Sequence, residues 1–294
     1  MKTISPSEIS IMECQLLMQS LVIPRPIALA STIDKDGKIN LSPFSFFNMF
    51  SANPPILIFS PARRARDGSV KHTLENAYEV PEVVINIVNF NMVEQTSLSS
   101  VEYDKGTNEF IKSGLTALPS QKIKPPRVAE SPASFECKIN QIIPLGDKAG
   151  AGNLIICEVL LIHFNESILD ESGKKADPYL LEAVARLGGD YYAKINDKAI
   201  FELPKPNQKK GIGIDQIPEK IRNSKILSGN NLGRLGNVEK IPDENEIKDF
   251  KSNSLIWQSF NKISHHDQES VHTFCKKLIE KGKVMEAWII LLNE

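Results

Sequence analysis

Between Leu41 and Asn76 the chain reads LSPFSFFNMFSANPPILIFSPARRARDGSVKHTLEN, and few folds accommodate that order of residue types. From Ser42 to Ser51 it is a loop-like run of Ser, Phe and Asn. Phe44, Phe46, Phe47 and Phe50 share no single period, so the run is not a plain half-buried strand. Behind Pro54 and Pro55 comes a short apolar strand, Ile56 to Ser60. A cationic turn with Arg63, Arg64, Arg66 and Lys71 then leads into a helix.

A helix start carries unpaired N–H groups and a partial positive charge, which suit a phosphate. Thr73 is the natural N-cap for a helix over 74–79, with Asp67 or Ser69 as alternative starts. Lys71 adds a point charge, and Arg64 or Arg66 adds a planar fork. The plainer alternative is a solvated basic turn ahead of a surface helix. Backbone groups at Ser45, Phe46, Phe47 and Asn48 suit the polar edge of a flat heteroaromatic ring; plain core packing of the phenylalanines is the alternative. A ligand with a ring at one end and a phosphate at the other fits both halves.

At these residues the chain resembles the flavin reductase-like family with an FMN-binding split barrel, which includes flavoredoxins and the reductase components of two-component monooxygenases. The resemblance is carried by RPIALASTID (25–34), NLSPFSFFN (40–48), NPPILIFS (53–60), DGSVKHTLEN (67–76), KPPRVAESPASFECK (124–138) and RLGGDYYAKI (186–195), in the family's order, over about the first two thirds of the chain. The family usually has Asp where this chain has His72; Lys71 and Thr73 remain. The resemblance implies a mainly β fold: an antiparallel split β-barrel, closed so that strand edges are hidden, with flanking helices and a mixed, partly helical C-terminal extension. It implies FMN as cofactor and hydride transfer from NADH or NADPH, with no side-chain acid or base. It also implies a homodimer, and a monooxygenase as the possible recipient of reduced flavin. The phosphate would take Arg64 or Arg66, Lys71 and Thr73. The ring would take Ser45, Phe46, Phe47 and Asn48, with Ser31, Thr32 and Ser60 nearby. For Ser31 and Thr32, ordinary β-propensity at a solvated strand end is the alternative. Arg186 to Tyr192 either reaches a neighbour's flavin or merely ends a helix beside a core tyrosine. Two other functions remain open: an electron-transfer protein that does not use NAD(P)H, and a non-enzymatic flavin-binding module.

The rest of the chain bounds these expectations. Its 294 residues, 41% hydrophobic and 24% charged, describe an ordinary globule, and a net charge of −1 gives no reason to expect nucleic acid or a membrane surface. No apolar run reaches the ~18 residues of a membrane span, and the N-terminus does not read as a leader. Cys14, Cys137, Cys157 and Cys275 are widely and irregularly spaced, which fits free thiols in a reducing cytoplasm. His265 and His272 have no ligand partner at a recognisable spacing, so no metal is expected.

In order, a short helix is expected over 9–19, then strands over 27–33, 56–60, 83–88, 133–143 and 153–164. The first strand turns at Asp34 to Gly37 into a return strand from Lys38. A helix is expected from about Asn91 to Ser99, an irregular flap over 103–114, and a helix over 178–186 stopped by Leu187-Gly188-Gly189. The first domain spans 1–200. A linker with Pro204, Pro206 and Gln208 to Lys210 opens the extension, 201–294. There Gly211, Gly213, Gly229, Gly233 and Gly236 read as turns, since no βαβ context makes them a dinucleotide fingerprint. Helices are expected over 244–251 and 267–281, with 284–292 a helix or a closing strand.

Overall fold

The computed structural model describes residues 1–203, 210–262 and 267–293. It contains two compact units, Met1–Phe201 and Glu202–Glu294. The proposed linker residues 204–209 and His265 lie outside the described residues.

The first unit opens with helix α1 (Ile11–Leu21), followed by strands β1 (Ala28–Ile33), β2 (Ile39–Phe44), β3 (Phe47–Ala52) and β4 (Pro55–Phe59), helix α2 (His72–Glu79) and strand β5 (Glu82–Ile87). Short helices α3 (Val93–Leu98) and α4 (Glu109–Ser113) and small strands β6 (Ala117–Leu118) and β7 (Arg127–Val128) come next. The long hairpin β8 (Ala133–Pro144) and β9 (Asn153–Phe164) precedes α5 (Pro178–Leu181), β10 (Val184–Gly188) and β11 (Tyr191–Lys194).

Seven strands form one antiparallel sheet in the order β2-β1-β5-β8-β9-β4-β3. The turn from β1 to β2 is set by Asp34, whose Oδ1 accepts from Asp36 N–H (3.0 Å) and Lys38 N–H (2.8 Å), and by Gly37 at φ +80°.

The edge strands β2 and β3 are consecutive in sequence, with only Ser45 and Phe46 between them. Such a sheet has to curl. Laid flat, β2 and β4 would stand about 24 Å apart at ordinary strand spacing. Instead the Phe44 and Phe59 ring centroids are 5.3 Å apart. One apolar cluster accordingly gathers Ala28, Phe44, Phe59, Ile85, Cys137 and Ile155, from six strands, and Leu74 from α2.

Several expectations are corrected here. The sheet curls without closing, because no ladder joins β2 to β3 among the described residues. Pro43 brings no N–H to β2, which suits an edge strand and not a central one. The fold is therefore mixed α/β with a large open antiparallel sheet, rather than a closed mainly β barrel. The run 42–51 is not a loop: it is the end of β2 and most of β3, with only residues 45 and 46 between them. The helix expected over 178–186 stops at Leu181. Glu182 adopts φ +47°, and Val184–Gly188 pairs with Tyr191–Lys194 as a hairpin, so Gly188 and Gly189 turn a strand and do not cap a helix.

The second unit contains α6 (Glu219–Arg222), α7 (Gly229–Gly236), α8 (Glu244–Asn253), α9 (Leu255–Asn261), α10 (Gln268–Glu280) and α11 (Val284–Leu291). It has no strand among the described residues, so the extension is helical rather than mixed. Gly229, Gly233 and Gly236 lie inside α7, whose start Ser228 and Asn231 cap reciprocally; local capping outweighs the glycines' weak propensity. Its core holds Leu235, Phe260, Val271, Ile279 and Trp288, and the Trp288 indole N–H donates to the Leu235 carbonyl at 3.0 Å. Both tryptophans of the chain, Trp257 and Trp288, belong to this unit.

Phe59 is fully buried where the two ends of the sheet meet. Phe59→Ala is expected to cost about 3–5 kcal/mol, measured by urea unfolding followed through the far-ultraviolet strand signal. A loss below about 1 kcal/mol would show that the sheet does not depend on this contact.

Candidate functional site

Beside the two residues that link β2 to β3 lies a cleft of about 450 Å³. Phe44, Ser45 and Phe46 line one part of it; Ser60 and Arg63 to Arg66 line another, with Lys71. The walls are tied together. Ser60 N–H donates to the Phe46 carbonyl at 2.8 Å, and Ser60 Oγ accepts from Asn153 N–H at 3.1 Å.

The turn over 63–71 is built by its own polar groups. Arg64 N–H donates to the Ser69 carbonyl (2.9 Å) and Gly68 N–H to the Arg64 carbonyl (2.8 Å). Asp67 Oδ1 accepts from Ser69 N–H at 2.9 Å. The Ser69 hydroxyl, then its N–H and Arg66, hold the Asp67 carboxyl below its ordinary range. The Arg64 guanidinium faces inward, donating to the Val70 carbonyl (2.7 Å), Ser69 Oγ (2.9 Å) and Glu102 Oε1 (2.8 Å). Arg66 is exposed and meets the other oxygen of Glu102 at 2.5 Å. Glu102 thus holds two cations at the mouth of the cleft.

Lys71 makes no ion pair with a described residue. Its Nζ lies 5.4 Å from the Phe44 ring centroid. Burial, then the like charge of Arg64, push its ammonium below the ordinary lysine value, with Glu102 acting against them. A half-buried cation in this state favours an anionic neighbour.

Lys71, Arg64 and Glu102 also border a small adjoining recess formed by Asn40, Ser42, His72, Thr73 and the 99–103 segment. This recess is the start of α2. The N-cap is Lys71 rather than the expected Thr73, and no side chain caps the first turn. Thr73 lies inside the helix because its hydroxyl is already used, accepting from Asn40 Nδ2 at 2.8 Å. A second buried tie runs from Asn76 Nδ2 to Thr32 Oγ1 at 3.2 Å. These two contacts fix α2 on β1 and β2, so its uncapped end stays at the recess. Glu109 lines the recess too and accepts from Leu41 N–H at 3.0 Å. Burial pushes its carboxyl up, toward the neutral form that repels an anion less.

The structure therefore brings together Ser45, Phe46, Ser60, Arg64, Arg66 and Lys71 in one cleft, with Thr73 in the adjoining recess. It does not bring four others there. Ser31 and Thr32 are wholly buried inside β1, and Thr32 serves as an anchor for α2. Phe47 packs on the apolar interior. Asn48 is exposed on β3 and accepts from Met49 N–H at 2.8 Å. Alternation along β3 puts Phe47 and Asn48 on opposite faces, the first toward the interior and the second toward solvent.

Sequence reasoning missed Met12, Gln15 and Gln19, which line the cleft from α1, and Glu102. Their three- and four-residue spacing places the first three on one helix face. Glu102 has no local signal, since its role depends on arginines 36 and 38 residues away. Among the described residues no three His, Cys, Asp or Glu side chains group as a metal site, and no helix is long and apolar enough to cross a membrane. The four cysteines form no disulfide. Burial raises the Cys137 thiol to about 12 and Cys157 well above its usual value.

Comparison with known proteins places this geometry. The chain is 40% identical over 179 residues to an uncharacterized protein of Aquifex aeolicus, covering 60% of this chain and 88% of that one. It is 34% identical over 205 residues to an uncharacterized protein of Halalkalibacterium halodurans, covering 69% and 96%. Among solved structures, nitrilotriacetate monooxygenase component B from Bacillus cereus superposes with a TM-score of 0.64 at 31% identity, over 69% of this chain and 98% of that one. The 2-nitrobenzoate 2-nitroreductase of Pseudomonas fluorescens does so with a TM-score of 0.60 at 27% identity, over 69% and 97%. Flavoredoxin of Desulfovibrio vulgaris shares the fold at 20% identity and a TM-score of 0.51. The flavin reductase like domain matches residues 18–182, the segment that contains the curled sheet and every cleft residue except Met12 and Gln15, and the chain belongs to that family.

Proposed function

We propose that the protein is an FMN-dependent oxidoreductase that takes hydride from NADH or NADPH and passes the electrons on as reduced flavin. One observation carries this reading: Lys71, the N-cap of the uncapped helix α2, borders both the recess at the helix start and the adjoining cleft lined by Ser45 and Phe46. A nucleotide's phosphate would occupy the recess and its ring the cleft.

The residues fit the cofactor by their own chemistry. At the phosphate end, the N–H groups of the first turn of α2 and the Lys71 ammonium would hold the dianion, each charge-assisted bond contributing about 1.5–3 kcal/mol. Arg66, exposed and now paired with Glu102 and Asp67, would add a donor on turning to the phosphate, while Arg64 keeps the turn in shape. At the ring end, the main chain at Ser45 and Phe46 and the Gln15 and Gln19 amides from α1 would meet its polar edge. Bound there, the flavin would supply hydride acceptance and electron release. The protein's part is to bind, orient and exclude water.

The proposed electron recipient is a monooxygenase. In support, the Bacillus cereus structure is described as a component B of such a system. The proposed assembly is a homodimer working in the cytoplasm. In support, Met12, Leu16, Leu17 and Leu21 expose apolar surface along α1, as do Met49 and Phe50 on β3, surface that a second copy would cover. Free cysteines accord with a reducing compartment.

The decisive experiment is an absorption spectrum of the purified chain, reconstituted with FMN, before and after NADH or NADPH. Bleaching of the flavin band under anaerobic conditions is the expected result. Bound flavin that neither nucleotide bleaches would favour the electron carrier, and failure to take up flavin would remove the reading. A second expectation concerns Lys71. Lys71→Ala should weaken FMN binding by about 1–3 kcal/mol while leaving riboflavin, which lacks the phosphate, unaffected. The sign with pH follows from the lowered lysine value: the phosphate contribution is present while Lys71 is protonated and is lost as pH rises through that value. The FMN-to-riboflavin affinity ratio should therefore fall at a lower pH than the ~10.4 of a free lysine. In Lys71→Ala the alkaline fall should vanish.

A further inference from the structure

Next to the cleft lies a second cavity of about 510 Å³, enough for a one- or two-ring compound. One wall is a single face of α1, Ile11, Cys14, Gln15, Met18 and Gln19, continued by its C-cap Val22. No residue of α1 is buried, so the helix stands off the sheet instead of packing on it. Its start is closed by its own residues and its C-terminal end is held by neighbouring elements. Ser10 and Glu13 form a capping box at the start. At the other end Gly188, at φ +106°, lets the β10–β11 hairpin approach so closely that a Cβ there would lie 3.0 Å from the Gln19 carbonyl oxygen. The cavity shares Gln15, Gln19, Phe46 and Ala62 with the cleft, so the two spaces adjoin.

The remaining lining is mostly apolar, with one exception. Arg25 is only 7% exposed. Its Nη1 donates to the Val22 carbonyl at 2.7 Å and to that of Gln19, closing the end of α1, and its Nε reaches Ser45 Oγ at 3.4 Å. Nη2 has no hydrogen bond to a described residue, and no described carboxylate pairs with the guanidinium. The neighbouring charge is another cation, Arg186, which exchanges backbone hydrogen bonds with Arg25 and whose guanidinium lies over the Tyr192 ring. Burial, then Arg186, push the Arg25 guanidinium below the ordinary arginine value. A buried cation lacking a counter-ion is costly, and helix-end carbonyls offset it only in part.

We propose that this cavity binds a small organic carboxylate with an apolar ring or branched body, its carboxylate paired with Arg25 and its body filling the space under α1. That such a molecule would lie beside a flavin rests on the function proposed above; its binding does not.

The test is calorimetric titration of the full-length protein, with and without FMN, using benzoate, benzyl alcohol and formate as probes at fixed ionic strength. Benzoate should bind saturably and at least about tenfold more tightly than either of the others, since each lacks one half of the recognition; tenfold is about the loss of one charged hydrogen bond. Met18→Trp fills the cavity without touching Arg25. It should reduce benzoate affinity at least about tenfold, while FMN retention by absorbance stays unchanged. Arg25→Lys should narrow the benzoate preference over benzyl alcohol. The proposal is overturned if benzoate gives no saturable heat, as when a second copy of the chain fills the cavity. It is also overturned if benzyl alcohol binds as tightly as benzoate, or if Met18→Trp leaves benzoate affinity unchanged. Failure of the chain to take up FMN would defeat the flavin reading alone, because the comparison of benzoate with benzyl alcohol is made without flavin as well.

Discussion

Phe44 and Phe59 come from strands near opposite ends of the sheet order, yet their rings touch. Everything at the cleft depends on that contact. It draws the edge strands round until Ser45 and Phe46 bridge them, and it brings the turn after β4 beside the end of β2. The Lys71 ammonium reaches the same Phe44 ring, so one aromatic side chain belongs to the packed interior and borders the cationic end of the site at once. Among the described residues no strand ladder crosses the gap, and burial of the two large rings holds it together.

The second requirement is polar. Asn40 to Thr73 and Asn76 to Thr32 are buried hydrogen bonds that hold α2 against β1 and β2. A buried amide without its partner is costly, so these contacts tolerate little drift. They explain why Thr73 does not cap its helix; Leu74 N–H donates to the Lys71 carbonyl at 2.9 Å, which leaves the His72 and Thr73 N–H groups for a ligand. A helix with a good side-chain cap would be slightly more stable and would present fewer free donors to a phosphate.

Much of this was legible in the residues, for physical reasons. The long hairpin of β8 and β9 follows from two apolar runs separated by a glycine-rich turn, and α10 from an N-cap aspartate ahead of an apolar face. The cationic turn was legible because its own Asp, Gly and Ser residues build it. What could not be read depended on distance in sequence. Ser31 and Thr32 point into the fold because of what packs over β1. Glu102 matters only because two arginines lie across from it. The stretch 42–51 looked irregular because the strand alternation is broken at residues 45 and 46, where the edges join. In the C-terminal unit, glycine counts argued for turns at 229–236, and a capping pair at Ser228 and Asn231 decided for a helix.

Since Trp257 and Trp288 both sit among the helices of the C-terminal unit, the sheet-bearing unit holds no indole at all. Indole emission therefore reports on the smaller, C-terminal unit and visible absorbance of a chromophore bound in the cleft on the larger one. A shift in indole emission when a nucleotide enters the cleft would be a direct optical signature of coupling between the units, obtained without labelling either.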